Sequence, residues 1–159
     1  MKNTKLALTL LTLAFFGSSA WARGGMSTGG VANPASMQCV QFGGRLQLYK
    51  DEQGNQSNLC RVEGAALDEW TFYLATTQGG TQATTAFINH PRYQMDMAPN
   101  PVAYCSQLGG RIELFTNDSN ERIGLCQFED RSSIEAWTLF RGPRFPGNAK
   151  LLKLLTAAN

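Results

Sequence analysis

The sequence predicts an α+β protein of two tandem small modules, each a short helix plus an antiparallel β-hairpin and a third strand, stapled by a disulfide. Three observations carry that prediction. Cys39 to Cys60 and Cys105 to Cys126 span the same 21 residues. The two 22-residue windows they bound align without a gap at an offset of 66, with eight identities. Besides the cysteines these are Gln41/Gln107, Gly43-Gly44/Gly109-Gly110, Arg45/Arg111, Leu48/Leu114 and Leu59/Leu125. Finally, both windows run in one order: helix stop, alternating strand, polar loop, returning strand. Such a repeat has to be settled before any other assignment.

Module one is read over 33–75 and module two over 100–142. Asn33 is suited to cap a helix and Pro34 to open it, while Gly43 can take the left-handed position that ends it. Arg45-Leu46-Gln47-Leu48-Tyr49 alternates as a half-buried strand. Lys50 to Asn58 is polar and contains Gly54, which reads as a hairpin loop, and Leu59–Val62 returns as the second strand. After a turn at Gly64, Ala65–Glu69 is assigned to a helix or turn. Trp70-Thr71-Phe72-Tyr73-Leu74 has the aromatic and β-branched content of a third strand. Module two repeats the order from Asn100-Pro101 through Ile112–Phe115 and Leu125–Phe128, with Thr116–Gly124 as its loop. Ser132–Ala136 and then the Trp137–Phe140 strand complete it. Glu63 answers Glu129 and Trp70-Thr71 answers Trp137-Thr138 once two small gaps are allowed. Leu46, Leu48, Trp70, Phe72, Ile112, Leu114, Trp137 and Leu139 alternate and are expected to form two cores.

The flanking segments read differently. Lys2 and Lys5, the apolar run Leu6–Phe16 and the small-residue site Ala20-Trp21-Ala22 have the order of a secretory signal peptide, 1–22, cleaved after Ala22. A flexible N-terminus, 23–32, would follow. No Cys stands just after the cleavage point, so a lipoprotein is not expected. Removing 22 residues and two lysines from 159 residues leaves 137, with 12 basic and 12 acidic side chains. That neutral balance gives no electrostatic reason to bind nucleic acid. Residues 76–99, rich in Thr, Gln and Gly, read as a linker. Its middle, Ala86-Phe87-Ile88 and Tyr93-Gln94-Met95, is apolar enough to pair with a module. The C-terminal tail, 143–159, carries a short basic amphipathic segment, Lys150–Leu155. Membrane contact through 149–155 is one reading; packing of the leucines in a core or a dimer is the favoured one.

Export decides how the cysteines are read. In an oxidising compartment four cysteines pair, in one of three ways. Pairing within each module, Cys39 with Cys60 and Cys105 with Cys126, is expected because each small repeat needs its own staple. The rival pairs Cys39 with Cys105 and Cys60 with Cys126.

The set Asn33-Pro34-Ala35-Ser36, Cys39, Gly43-Gly44, Cys60 and Glu69-Trp70 resembles a small bacterial envelope domain known as domain of unknown function 333. Asn100-Pro101, Cys105, Gly109-Gly110, Cys126 and Trp137 resemble a second copy. Members of the family are often labelled hemolysins, and the resemblance implies an envelope protein without bringing catalytic residues. Two departures stand out: many members carry further cysteines near the Trp segment, and many are lipoproteins.

Catalysis is not expected. His90 is the single histidine and lies beside Pro91 in the linker, where it reads as a surface residue. This leaves no Ser-His-Asp arrangement in each module and no His-rich metal site. Asp68-Glu69 and Glu129-Asp130 read as solvated charge on turns. The Gly-Gly pairs follow a helix and open a strand, the reverse of a phosphate loop. No cofactor signal is present. Candidate binding residues lie on the hairpin loops, which have equal length but little shared sequence: Lys50, Asp51, Glu52 and Asn55 on the first, Asn117, Asp118, Glu121, Arg122 and Ile123 on the second. A stapled scaffold presenting loops suits a preorganised binder. The expected role is therefore an exported periplasmic or secreted protein that binds an envelope or extracellular protein without chemistry. A membrane-perturbing factor and a small protease-inhibitor-like module are the alternatives.

Overall fold

The computed structural model describes residues 32–91 and 98–157. The signal-peptide reading of 1–22, all of 23–31 and Tyr93-Gln94-Met95 lie outside the described residues. Module one runs α1 (Pro34–Gln41), β1 (Arg45–Lys50), β2 (Gln56–Val62), β3 (Ala65–Asp68) and α2 (Glu69–Thr77). α3 (Gln82–Ile88) follows. Module two repeats the pattern as α4 (Pro101–Gln107), β4 (Arg111–Thr116), β5 (Arg122–Gln127), β6 (Ser133–Glu135) and α5 (Ala136–Arg141). A 3-10 turn (Pro146–Asn148) leads into α6 (Ala149–Ala157).

The start of each module folds as its residues dictate. Asn33 accepts from the Ala35 amide and Asn100 from the Ala103 amide, with Pro opening both helices. Gly43 and Gly109 end them at φ of 74° and 80°. The second glycine of each pair has a separate reason. A Cβ on Gly44 would stand 2.7 and 2.8 Å from the sulfurs of Cys39 and Cys60, and one on Gly110 would stand 2.6 and 2.9 Å from those of Cys126 and Cys105. The disulfides pack directly on these backbones. Cys39–Cys60 and Cys105–Cys126 are bonded within their modules, each joining helix to sheet.

The third strand is where the structure corrects the sequence reading. Ala65–Asp68 and Ser133–Glu135 are strands, and the Trp segments are helices. The reversal is enforced by capping. The Asp68 carboxylate accepts from the amides of Trp70 and Thr71, and Glu135 accepts from those of Trp137 and Thr138. Four helix-opening donors are thereby satisfied, which outweighs the β propensity of Trp-Thr-Phe-Tyr.

The six strands close into a barrel in the order β1-β2-β3-β6-β5-β4. The modules are two halves of one sheet. Equivalent strands meet across the join, β1 with β4 at Lys50–Thr116 and β3 with β6 at Leu67–Ile134, both antiparallel. A pair of reciprocal bonds makes the relation two-fold. The Ala66 amide donates to the Thr138 hydroxyl at 3.0 Å, and the equivalent Ser133 amide donates to the Thr71 hydroxyl at 2.8 Å. This is the self-complementary pattern of a symmetric dimer, here within one chain. It also explains why Thr follows Trp in both copies.

Alternation along the strands separates two cores. Tyr49, Leu59, Ala66, Phe115 and Leu125 face inward and fill the barrel. Cys60, Val62, Leu67, Cys126 and Ile134 face outward and pack under the helices with Phe72, Phe87, Leu139, Leu151 and Leu155. Leu46, Leu48, Leu114, Trp70 and Trp137, expected in the cores, are instead partly exposed. The period-two pattern is present, but the strands turn the opposite face inward. The exposed leucines lie on β1 and β4, which meet at one join, whereas at the other join the outward Leu67 and Ile134 are fully buried.

Segment 76–99 is more than a linker. Thr81 and Thr84 form a capping box, and α3 buries Ala83 and Phe87. The Gln82 and Ala83 amides donate to Asp130 and Ser132 of module two. The tail crosses the other way: the Gly64 amide donates to the Gly147 carbonyl, while buried Asn148 donates to the carbonyls of Thr138 and Gly142. Leu151 and Leu155 are buried, which selects core packing for that segment. His90 is half-buried, its ring nitrogens 3.0 and 2.9 Å from the carbonyls of Pro91 and Phe140, so the surface reading is corrected as well.

Candidate functional site

Each hairpin turns tightly. Asp51 accepts from the Gln53 and Asn55 amides, and Asn117 from those of Ser119 and Glu121. The loops are therefore only 51–55 and 117–121. Because β1 and β4 are antiparallel and meet at their last residues, each tip projects past the join to an end of the barrel built mainly by the other module.

At one end the second tip closes the barrel. Glu121 accepts from the Tyr49 hydroxyl at 2.8 Å and from Gln47 at 3.1 Å. Arg61 donates to Tyr49 at 2.6 Å and to Glu121 at 2.8 Å, with its guanidinium carbon 5.9 Å from the centre of the Tyr49 ring. The Tyr49 hydroxyl bond, followed by the charge of Arg61, holds the Glu121 carboxyl below its ordinary range. Burial above all raises the Tyr49 phenol. The result is a neutralised plug that ties module two to module one.

The opposite end carries the same positions with other residues. At the offset of 66, Tyr49 becomes Phe115, Arg61 becomes Gln127, Glu121 becomes Asn55 and Gln47 becomes Glu113. The hydroxyl, the guanidinium and the closing carboxylate are all gone. In their place is an open-mouthed pocket of about 790 Å³ lined by those four residues together with Asp51, Glu52, Ser57, Asp68, Trp70, Arg131 and Ser133, among others. Asp68 accepts from Ser57 at 3.2 Å, and burial pushes its carboxyl above the usual range. Arg111 donates to Gln127 and pairs with Glu113. One extra residue in the β5–β6 turn puts Arg131 on the rim, at a φ of 66°. Trp70 is 46% exposed beside the mouth.

The residues singled out on the hairpins divide between these places. Asp51, Glu52 and Asn55 line the open end. Asn117 and Glu121 belong to the closed end, bonded to each other at 2.9 Å. Lys50 pairs with Asp118 at 3.8 Å between the tips, with Arg122 in the same shallow groove. Ile123 packs on the inner core. Asp68, read as solvated charge, instead caps a helix and lines the open end, where Trp70, read as core, stands as well. Ser57, Glu113, Phe115, Gln127, Arg131 and Ser133 carry no functional reading in the sequence. The signal for several was present, as inward positions where the two copies differ in chemistry.

Glu69 corrects the other carboxylate reading. It is 4% exposed and accepts from Asn33, Ser36 and Asn58 at 2.8, 2.5 and 3.2 Å. Module two has Ala103, Gly124 and Ala136 in place of Ser36, Asn58 and Glu69, an apolar solution to the same packing problem. Among the described residues no group of three His, Cys, Asp or Glu could hold a metal ion, and no cysteine is free.

No curated protein and no solved structure matches the chain. The family model described as domain of unknown function, DUF333, matches at residues 30–76 and 97–143. Those two stretches cover the repeated modules and more than half of the sequence. The chain therefore belongs to the DUF333 family and carries two tandem copies of its domain.

Proposed function

We propose that the protein is an exported, non-enzymatic binding protein of the cell envelope whose ligand sits in the open end of the barrel. One observation carries the reading: the two copies share backbone, staple and packing, yet only one end is plugged by Tyr49, Arg61 and Glu121. A cavity of about 790 Å³ is within the range that takes small molecules or a peptide side chain. The pocket is lined by strands of a closed, twice-stapled barrel, the rigid setting that preorganises a site. Disulfides in both modules are compatible with an oxidising location outside the cytoplasm. The signal-peptide pattern is the basis for placing it in the periplasm or medium.

Three observations favour this role over the alternatives. In α6, Leu151 and Leu155 are occupied in the core, leaving a weak apolar face for a membrane-perturbing role. No helix among the described residues is long and apolar enough to cross a membrane. The hairpin tips are short, internally bonded turns, less suited to an inhibitor than an extended exposed loop.

The test is amide NMR of the isotopically labelled protein against fractions of native envelope extract. Shifts concentrated at Ser57, Asp68, Gln127 and Ser133 are expected. Shifts confined to the second tip, to α6 or to the closed end would overturn the reading.

A further inference from the structure

The closed end supplies a template for what the open end has lost. There the barrel holds a guanidinium, that of Arg61, against an aromatic ring and beside carboxylates, Glu121 directly and Glu135 through its charge. The open end keeps the ring, as Phe115, and an inward capping carboxylate, as Asp68 in place of Glu135. It does not keep the guanidinium, because Gln127 stands at the position of Arg61. We infer that the open end takes a guanidinium-bearing ligand, which occupies the position that Arg61 fills at the closed end. The inference rests on the binding role proposed above.

Charge and shape agree with it. The pocket lining carries four carboxylates and one guanidinium, Arg131. Arg111 offsets Glu113, so an excess of acid remains. Arg131 takes part in none of the ion pairs among the described residues, and it lies exposed on a turn at the rim rather than inside. Burial raises the Asp68 carboxyl, as expected of an acid whose desolvation is not offset by a cation. A planar guanidinium gains most from such a place: it can donate to Asp68 and the amide oxygen of Asn55 while lying on Phe115 or Trp70, the Gln127 oxygen being held already by Arg111. An ammonium lacks the flat face and the fork of donors. The guanidinium could come from a free small molecule or from an arginine side chain of a peptide, and the site chemistry is the same for both.

Titration of the labelled protein with N-acetylarginine amide, with an acetylated Gly-Arg-Gly peptide and with N-acetylcitrulline amide separates the possibilities. The citrulline compound has nearly the same shape without the charge. Saturable shifts at Ser57, Trp70, Gln127 and Ser133 are expected with both arginine probes, at least about tenfold weaker with citrulline. Tighter binding of the tripeptide would identify a peptide source, and equal binding a small molecule. In the variant Asn55→Glu/Phe115→Tyr/Gln127→Arg, which rebuilds the plug, arginine binding should fall by about tenfold or more. Asp68→Asn keeps a helix cap and removes the charge, and should weaken binding several-fold if the triple variant does not fold. Equal shifts with arginine and citrulline would overturn the guanidinium inference while leaving a pocket. No saturable shift at these residues with any probe, up to about 10 mM, would overturn it too. In that case, envelope extract that still shifts them keeps the binding role, and extract that does not removes both.

Discussion

The two ends of the barrel are made from the same sequence repeat and differ most in what the positions of Tyr49, Arg61 and Glu121 carry. Where Tyr49, Arg61 and Glu121 meet, hydroxyl, guanidinium and carboxylate satisfy one another and the end is closed. Where Phe115, Gln127 and Asn55 stand, none of those bonds can form and the end is open. Tyr49 is fully buried, while Phe115 keeps 7% of its surface exposed. Duplication thus builds a symmetric frame in which each inward position occurs twice. One copy can keep a structural bond while the other is released from it. The Glu69 network and its apolar counterpart in module two show the same divergence behind the sheet.

If the halves form one frame, damage to either half should unfold both. The largest effect is expected from the staples. Replacing Cys39 and Cys60, or Cys105 and Cys126, with Ala opens a loop of 21 residues and should cost about 3 kcal/mol in either module. Denaturant unfolding should remain a single transition in both variants. Two separated transitions would mean that the modules fold independently.

Next in size is a deliberate asymmetry. Glu69→Ala leaves Asn33, Ser36 and Asn58 without their acceptor and should cost about 2 kcal/mol. Adding Ser36→Ala and Asn58→Gly imports the module-two solution and should recover part of the loss despite the glycine in a strand. The reverse change, Ala136→Glu, buries a carboxylate without those donors and should destabilise by at least as much as Glu69→Ala. Little or no loss of stability in either single variant, read by chemical denaturation, would contradict the account of divergence.

Symmetry, by contrast, should survive at the threonines. Thr71→Val and Thr138→Val each orphan one buried amide, of Ser133 or Ala66, and should each cost about 1–2 kcal/mol. The measurement is again the unfolding midpoint, and a strong inequality would argue against the two-fold relation.

The acids at the two ends should respond oppositely to pH. Glu121 has a lowered folded pKa, so its contribution is present above the ordinary value of 4.5 and is lost as pH falls through the folded value. Asp68 has a raised folded pKa. Its contribution is full below the ordinary value of 3.8 and is lost as pH rises through the folded value. Relative to the wild type, Glu121→Gln should gain stability as the medium is acidified, and Asp68→Asn should gain it as the pH rises from 3.8 upward. Thermal unfolding across that range reads both; parallel curves would remove the assigned shifts. The smallest effect is expected at the exposed Lys50–Asp118 pair, where Lys50→Ala should change stability by less than about 0.5 kcal/mol.

Much of the frame was legible because the repeat exposed it. Cys spacing identified the staples, Asn-Pro and Gly-Gly the limits of the first helices, and alternation the hairpins. The third strand was misread because β propensity in Trp-Thr-Phe-Tyr was weighed without the carboxylate just ahead of it. Asp68 and Glu135 are the capping signals, and both precede a Trp-Thr step. The core assignment failed for another reason. Alternation fixes which residues share a face, but closure of two halves into a barrel decides which face turns inward, and that is a long-range property. The site was only half visible for the same cause. Asp51, Glu52 and Asn55 are local to a loop, whereas Phe115, Gln127 and Ser133 join them only through the two-fold packing.

Relaxation by a soluble neutral paramagnetic probe, read on the ring protons of Tyr49 and Phe115, tests the difference between the ends most directly. Clearly stronger enhancement at Phe115 than at Tyr49, abolished in Asn55→Glu/Phe115→Tyr/Gln127→Arg, is the predicted result. Equal enhancement of the two rings in the wild type would mean that both ends are closed or both open, and would contradict the account.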